Sequence, residues 1–259
     1  MYLKIRIDIN CDLGESYGEF KFGNDEKIMP YITSANVACG FHAGDPVTIA
    51  KTISLAKKYK VAVGAHPGFP DLMGFGRREM QMSDVEVKNS IIYQVGALQG
   101  FVKTVNLALQ HVKPHGALYN MAVKDEKLSK NIAEAVKAMG NSLIVFAPPN
   151  SALAKVATKH GLNVAFEFFA DRAYNPDGSL LSRRYSNAII REPKKVIERT
   201  IKAAEDGMVL AANGEVVNLG KVHTVCVHGD TPNAVELAKI LKKELLKKRI
   251  DVRPVSGFV

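Results

Sequence analysis

The run KVAVGAHPGFPDLMGFGRREMQMSDVEVKNSIIYQVGALQGFVKTVNLALQHVKPHG, from Lys60 to Gly116, decides the fold class. It opens on a strand pattern at Lys60–Ala65, where valines alternate with small residues, and closes on a second at Leu109–Lys113. Between them Ser83-x-x-Glu86 has the form of a capping box. It starts a helix whose apolar stripe runs Ile91, Val95, Leu98, Val102 and Val105, alternately four and three residues apart. Strand, long helix, strand is the unit that joins neighbouring parallel strands.

The same alternation continues outward in both directions. Further strands are expected at Leu3–Asn10, Ser34–Cys39, Leu143–Phe146, Val164–Phe168 and Val222–Val227. Asp45-Pro46 and Thr231-Pro232 each read as an N-cap followed by proline in the first helical turn. The last helix gathers Ala234, Leu237, Ala238, Leu241 and Leu245 on one face, with lysines opposite. Asn213-Gly214 predicts a hairpin over Met208–Val217. Some seven strand–helix units in 259 residues predict an α/β protein: one (β/α) barrel of about seven parallel strands with a small β-hairpin insertion, a single domain over residues 1–259. A doubly wound open sheet is the alternative. It lacks support, because no G-x-G-x-x-G follows the first strand and no phosphate-binding G-x-x-x-x-G-K-[ST] occurs.

Composition narrows the function. Hydrophobic residues at 47% and charged residues at 24% exclude a disordered chain or a rod. No run approaches the ~18–20 apolar residues that span a bilayer, and MYLKIRIDINCDLGE lacks the apolar core of a signal peptide. A soluble, cytoplasmic protein is expected. Cys11, Cys39 and Cys226 form no C-x-x-C pair and sit at strand ends, where free thiols are buried as small hydrophobes. The net charge of +9 resides partly on helix faces such as Lys57-Lys58 and Lys242–Arg249, with no tryptophan to stack on bases, so neither nucleic acid nor membrane is the expected partner. Attraction of an anionic small molecule is compatible with it.

Ligands of parallel α/β folds bind at the C-terminal ends of strands. Titratable residues recur at those ends: Asn10, Asp12 and Glu15 after the first strand, Asn36 and His42 with the second, His66 after the third, Lys113 and His115 after the fourth, Arg172 after the sixth, His228 and Asp230 after the seventh. Asp12, Glu15, His42, His66, His115 and His228 are the catalytic candidates, as general acids and bases or as metal ligands. If a divalent metal is present, Asp12, His42 and His66 are the expected ligands. Asn10, Asn36, Lys113, Arg172 and Asp230 are the substrate-binding candidates, Lys113 facing developing negative charge and Arg172 gripping a carboxylate or phosphoryl group. Asp45 and Asp230 are equally explained as N-caps. Asp8 alternates with Ile7 and Ile9 and faces either the barrel interior or a solvent edge. His111 and His223, at strand starts, read as structural, and His160 as a surface residue. Pro67–Arg78, rich in glycine, proline and aromatics, reads as a binding loop or a rigid cover.

The motifs DINCDLGE (Asp8–Glu15), SANVACGFHAGDP (Ser34–Pro46), GAHPGFPD (Gly64–Asp71), FGRR (Phe75–Arg78), VKPHGALYN (Val112–Asn120), EFFADRAY (Glu167–Tyr174) and VHGD (Val227–Asp230) resemble the LamB/YcsF family, in order and over nearly the whole chain. That family is described as the A component of prokaryotic 5-oxoprolinase. The resemblance implies a barrel similar to the glycoside hydrolase and polysaccharide-deacetylase type. It implies ATP-dependent opening of the 5-oxoproline lactam to L-glutamate together with subunits B and C. The chain has no recognisable ATP motif of its own, so the expectation is that B and C activate the lactam by phosphorylation and this chain opens the ring. Two other readings stay open: a metal-dependent deacetylase acting alone, and a non-catalytic substrate-binding protein.

Overall fold

The computed structural model describes residues 5–227 and 233–259. Seven parallel strands close a barrel: β1 (Arg6–Leu13), β2 (Ser34–Ala38), β3 (Ala62–His66), β4 (Leu109–Val112), β5 (Ile144–Ala147), β6 (Val164–Phe169) and β9 (Thr224–Val227). Each pairs with the next, and β9 closes the ring by pairing with both β6 and β1. Between β6 and β9 lies the antiparallel hairpin of β7 (Met208–Leu210) and β8 (Val216–Asn218), turned at Asn213-Gly214 as expected. A two-residue strand, β10 (Asp251–Val252), adds to the start of β1 and is too short to announce itself in the sequence.

Helices α1 (Asp25–Ile28), α2 (Pro46–Tyr59), α3 (Asp84–Thr104), α4 (Gly116–Ala122), α5 (Glu126–Met139), α6 (Ala152–Lys159), α7 (Pro193–Asp206) and α8 (Ala234–Lys247) follow the strands. Their ends obey the local signals. The Ser83 hydroxyl and the Glu86 carboxylate form the reciprocal capping box of α3, and Asp45 accepts from the Val47 and Thr48 amides to cap α2. The α3 stripe of Ile91, Val95, Leu98 and Val102 is buried against the barrel, as is the Leu237, Ala238, Leu241, Leu245 face of α8. No helix among the described residues is long and apolar enough to cross a membrane.

β1 runs past the expected Asn10 to Leu13, while Leu3, its expected start, lies outside the described residues. This changes how its polar residues are used. Side chains alternate along a strand. Ile7, Ile9, Cys11 and Leu13 therefore join the hydrophobic core, while Asp8, Asn10 and Asp12 share the other face and bond to residues of facing strands. Asp8 is fully buried, not at a solvent edge, and accepts from Thr33 Oγ1 (2.5 Å), Ser34 Oγ (2.7 Å) and Thr224 Oγ1 (2.5 Å). The N-terminal end of the barrel is closed by Val255, which packs with Ile144, Phe146 and Ala165 beneath Phe258 and Val259.

Burial pushes the Asp8 carboxyl up from 3.8 to about 6, against the lowering effect of its three hydroxyl donors. A carboxyl raised on folding contributes stability below its unfolded value, and that contribution is lost as pH rises through the folded value. Unfolding free energy is therefore expected to fall by about 2–3 kcal/mol more in the parent than in Asp8→Asn between pH 4 and pH 7. Chemical denaturation at the two pH values measures this; equal slopes in both proteins would remove the assignment.

Candidate functional site

A cavity of about 710 Å³ opens at the C-terminal ends of the strands. Asp12, Glu15, His66, Lys113 and His115 line its depth, and Arg77, Lys124, Arg172, Arg183 and Arg184 line its walls. Cations thus outnumber acids on the wall, which suits an anionic ligand.

Lys113 anchors the floor. Its Nζ lies 2.9 Å from Asp12 Oδ1, 3.0 Å from Glu167 Oε1, 3.3 Å from Asn10 Oδ1 and 3.1 Å from Cys226 Sγ. Burial alone would lower the ammonium, but the Asp12 carboxylate, Cys226 and Glu167 override it and hold the group well above the ordinary lysine range. Glu167 also accepts from Asn10 Nδ2 (3.0 Å) and from the Tyr119 hydroxyl (2.6 Å). Asp12 Oδ1 accepts a second bond from Asn36 Nδ2 (2.8 Å), which leaves Oδ2 facing His66 Nε2 at 3.5 Å.

The three described strand-end histidines meet above this floor. His66 Nδ1 lies 2.7 Å from the Lys113 carbonyl, and His115 Nε2 lies 2.8 Å from the Phe75 carbonyl. A carbonyl only accepts, so each of those nitrogens carries the proton. The remaining atoms, His66 Nε2 and His115 Nδ1, then face each other 2.9 Å apart with lone pairs converging. Such a pair needs a cation between or beside it.

Glu15, His42, His66 and His115 each bring a ligand atom within 4.8 Å of the others. Glu15 Oε1 is 3.8 Å from both His115 Nδ1 and His42 Nε2. Buried imidazole and carboxylate donors of this kind fit a divalent ion. Of the expected set of Asp12, His42 and His66, the two histidines belong to this cluster, whereas Asp12 does not and Glu15 and His115 do. His42 stacks on His115 with centroids 3.7 Å apart and planes 2° from parallel, so in-plane lone pairs of the two rings do not meet at one ion unless a ring turns. Both nitrogens of the buried His42 are without a hydrogen-bond partner among the described residues. Burial first, then the neighbouring imidazoles, hold His42 and His115 well below the ordinary histidine range.

The Pro67–Arg78 segment is a cover with a function: its Phe75 carbonyl fixes His115, and its Gly76 lies over the rings. Gly76 has φ +63°, and a Cβ there would stand 2.7 Å from His42 Cβ and 2.8 Å from His115 Cδ2, so only glycine serves.

Arg172 lines the cavity, donating from Nη2 to the Leu181 carbonyl (2.7 Å), while its buried Nε has no partner among the described residues. Burial, then Arg183, lowers it to about 10, so it keeps its charge at neutral pH. Asn10 and Asn36 do not reach the cavity wall as expected of substrate contacts. Both are fully buried beneath it, because the extended β1 and its neighbour β2 point them inward, where they hold Lys113 and Asp12. His228 and Asp230 lie outside the described residues. His223 is structural, its Nδ1 accepting from the Phe166 amide at 3.0 Å; His160, expected at the surface, is half-buried with Nδ1 on the Val156 carbonyl at 2.8 Å. Glu167 and Tyr119 received no role from the sequence. The only hint of Glu167 is a carboxylate inside the apolar run of β6.

A closed parallel barrel with buried imidazoles, carboxylates and one ammonium at its C-terminal mouth defines the class: a (β/α) barrel protein with a cluster of side chains that could hold a cation. Within that class the chain belongs to the LamB/YcsF family, whose sequence model matches residues 7–259. A relative from Pyrococcus horikoshii, named as the A component of 5-oxoprolinase, is 52% identical over 98% of this chain and 100% of its own length. One of the same name from Alkaliphilus metalliredigens is 50% identical, covering 98% and 99%. Among solved structures, the lactam utilization protein from Thermus thermophilus superposes with a TM-score of 0.91 at 44% identity, covering 96% of this chain and 99% of that one.

Proposed function

We propose that this chain is the lactam-opening component of an ATP-dependent 5-oxoprolinase, acting with two partner subunits, B and C, in the cytoplasm. The observation that carries the reading is the convergence of Asp12, Glu15, His66 and His115 under a cationic cavity in a chain whose full-length relatives bear that name. ATP is handled by the partners, which phosphorylate the lactam oxygen; three free, buried cysteines suit a reducing compartment.

Phosphorylation makes the lactam carbon electrophilic. Asp12 Oδ2, beside His66 Nε2, takes a proton from water as its oxygen adds to that carbon. Asp12 then returns that proton to the ring nitrogen, and the C–N bond breaks. The acyl phosphate so formed gives glutamate and phosphate with a second water. Lys113 orients Asp12, and Arg172 with Arg77 holds the substrate carboxylate or phosphoryl group. A divalent ion held by Glu15, His66 and His115, with His42 if its ring turns, would supply Lewis acidity and a more acidic water.

The test is reconstitution. Glutamate is measured from 5-oxoproline with this chain alone and with B and C, each with and without ATP. Turnover only with all three proteins and ATP is expected. Acetate release from N-acetylated sugars by the chain alone would select a deacetylase instead.

A further inference from the structure

His111 is the one described histidine deep inside the barrel, and its environment is built around its ring. It stacks on Phe146 with centroids 3.9 Å apart and planes 4° from parallel. Opposite, β3 carries Gly64, where a Cβ would lie 2.0 Å from His111 Nε2; no side chain fits between strand and ring.

The ring also sits in a hydrogen-bond chain of one polarity. The Ser256 amide donates to Gln110 Oε1 (3.2 Å), so Gln110 Nε2 is the atom turned to His111 Nδ1 (3.0 Å). His111 Nε2–H then donates to Asn36 Oδ1 (2.7 Å), and Asn36 Nδ2 donates to Asp12 Oδ1 (2.8 Å) and Asn10 Oδ1 (2.7 Å). Every amide orientation in the chain follows from its neighbour. Burial holds the ring well below the ordinary imidazole range, so one nitrogen accepts while the other donates.

We propose that His111 is a positioning residue for Asp12: by donating to Asn36 it fixes the amide that ties down Asp12 Oδ1, and so aims Oδ2 at His66 and the reacting water. Without that donor, Asn36 Oδ1 is left buried and unbonded, the amide can shift out of the position that sets its Nδ2 on Asp12 Oδ1, and the hold of Asn36 on the carboxylate weakens. This rests on the proposed role of Asp12 in ring opening.

The test uses the reconstituted complex with His111→Phe, which keeps a ring on Phe146 but no nitrogen, His111→Gln, which returns an N–H, and Asn36→Leu. His111→Phe is expected to lower kcat for glutamate formation about 10- to 100-fold with KM for 5-oxoproline within about twofold. His111→Gln recovers part of the loss, and His111→Phe adds nothing in the Asn36→Leu background. Equal loss in His111→Gln, or additive losses in the double variant, reduces His111 to packing and overturns the proposal. Asp12→Asn in the same assay separates the two levels. Full activity there sinks the proposed chemistry itself, whereas an inactive Asp12→Asn beside a fully active His111→Phe sinks only the positioning role.

Discussion

Asp12→Asn is expected to lower ATP-dependent glutamate formation by the reconstituted complex by about 10²–10⁴-fold, the range spanned by a positioned acid–base group. The substitution keeps the shape of the side chain. Its carbonyl oxygen can still accept from Asn36 and Lys113, and Lys113 keeps Glu167 as a counter-charge. What is lost is the second oxygen, the one 3.5 Å from His66 Nε2, and with it the capacity to take a proton from water. The fold is therefore expected to remain and the chemistry to stop. Activity within about twofold of the parent, with an unchanged melting profile, contradicts the assignment.

Lys113→Met should destabilise the barrel by about 3–5 kcal/mol by chemical denaturation near neutral pH. The reason is the company the ammonium keeps. Asp12 and Glu167 lie at 2.9 and 3.0 Å from Nζ, and Glu167 is fully buried. Removing the cation leaves carboxylates in a low-dielectric interior facing Asn10 Oδ1, which loses the ammonium as a donor. Acidification, which neutralises the carboxylates, should shrink the loss, and Glu167→Gln added to Lys113→Met should restore part of it. A loss below about 1 kcal/mol would mean that water or relaxation compensates the pair, as in exposed ion pairs.

The barrel was legible in the sequence because its local signals agree with one another. The α3 capping box, the Asp45 cap and the Asn213-Gly214 hairpin all depend on neighbours a few residues away, and all form. The strand-end histidines were visible for a topological reason: in a parallel barrel every strand ends on the same side, so His66 and His115 share a mouth without any sequence proximity. What lay beyond reach was register. That Asn36 stands opposite Asp12, and Glu167 opposite Thr224, follows from how strands far apart in the chain align, which no single-strand pattern encodes. Hence the sequence leaves Asp8 ambiguous, gives Glu167 no role and marks His111 as structural, although they form the polar interior on which Asp12 and Lys113 rest. Tyr119 was hidden differently: it sits one turn into α4, where an aromatic residue gives no sign that its hydroxyl reaches back to β6.

The most direct measurement is of coupling between the two halves of the proposed reaction. A complex is assembled from parent B and C proteins and this chain carrying His66→Ala, and phosphate and glutamate released from ATP and labelled 5-oxoproline are followed together. The account predicts that nucleotide is still consumed while glutamate formation falls to background, because ring opening takes place beside His66. Glutamate released at the parent rate and in the parent ratio to phosphate would place the ring-opening step outside this barrel.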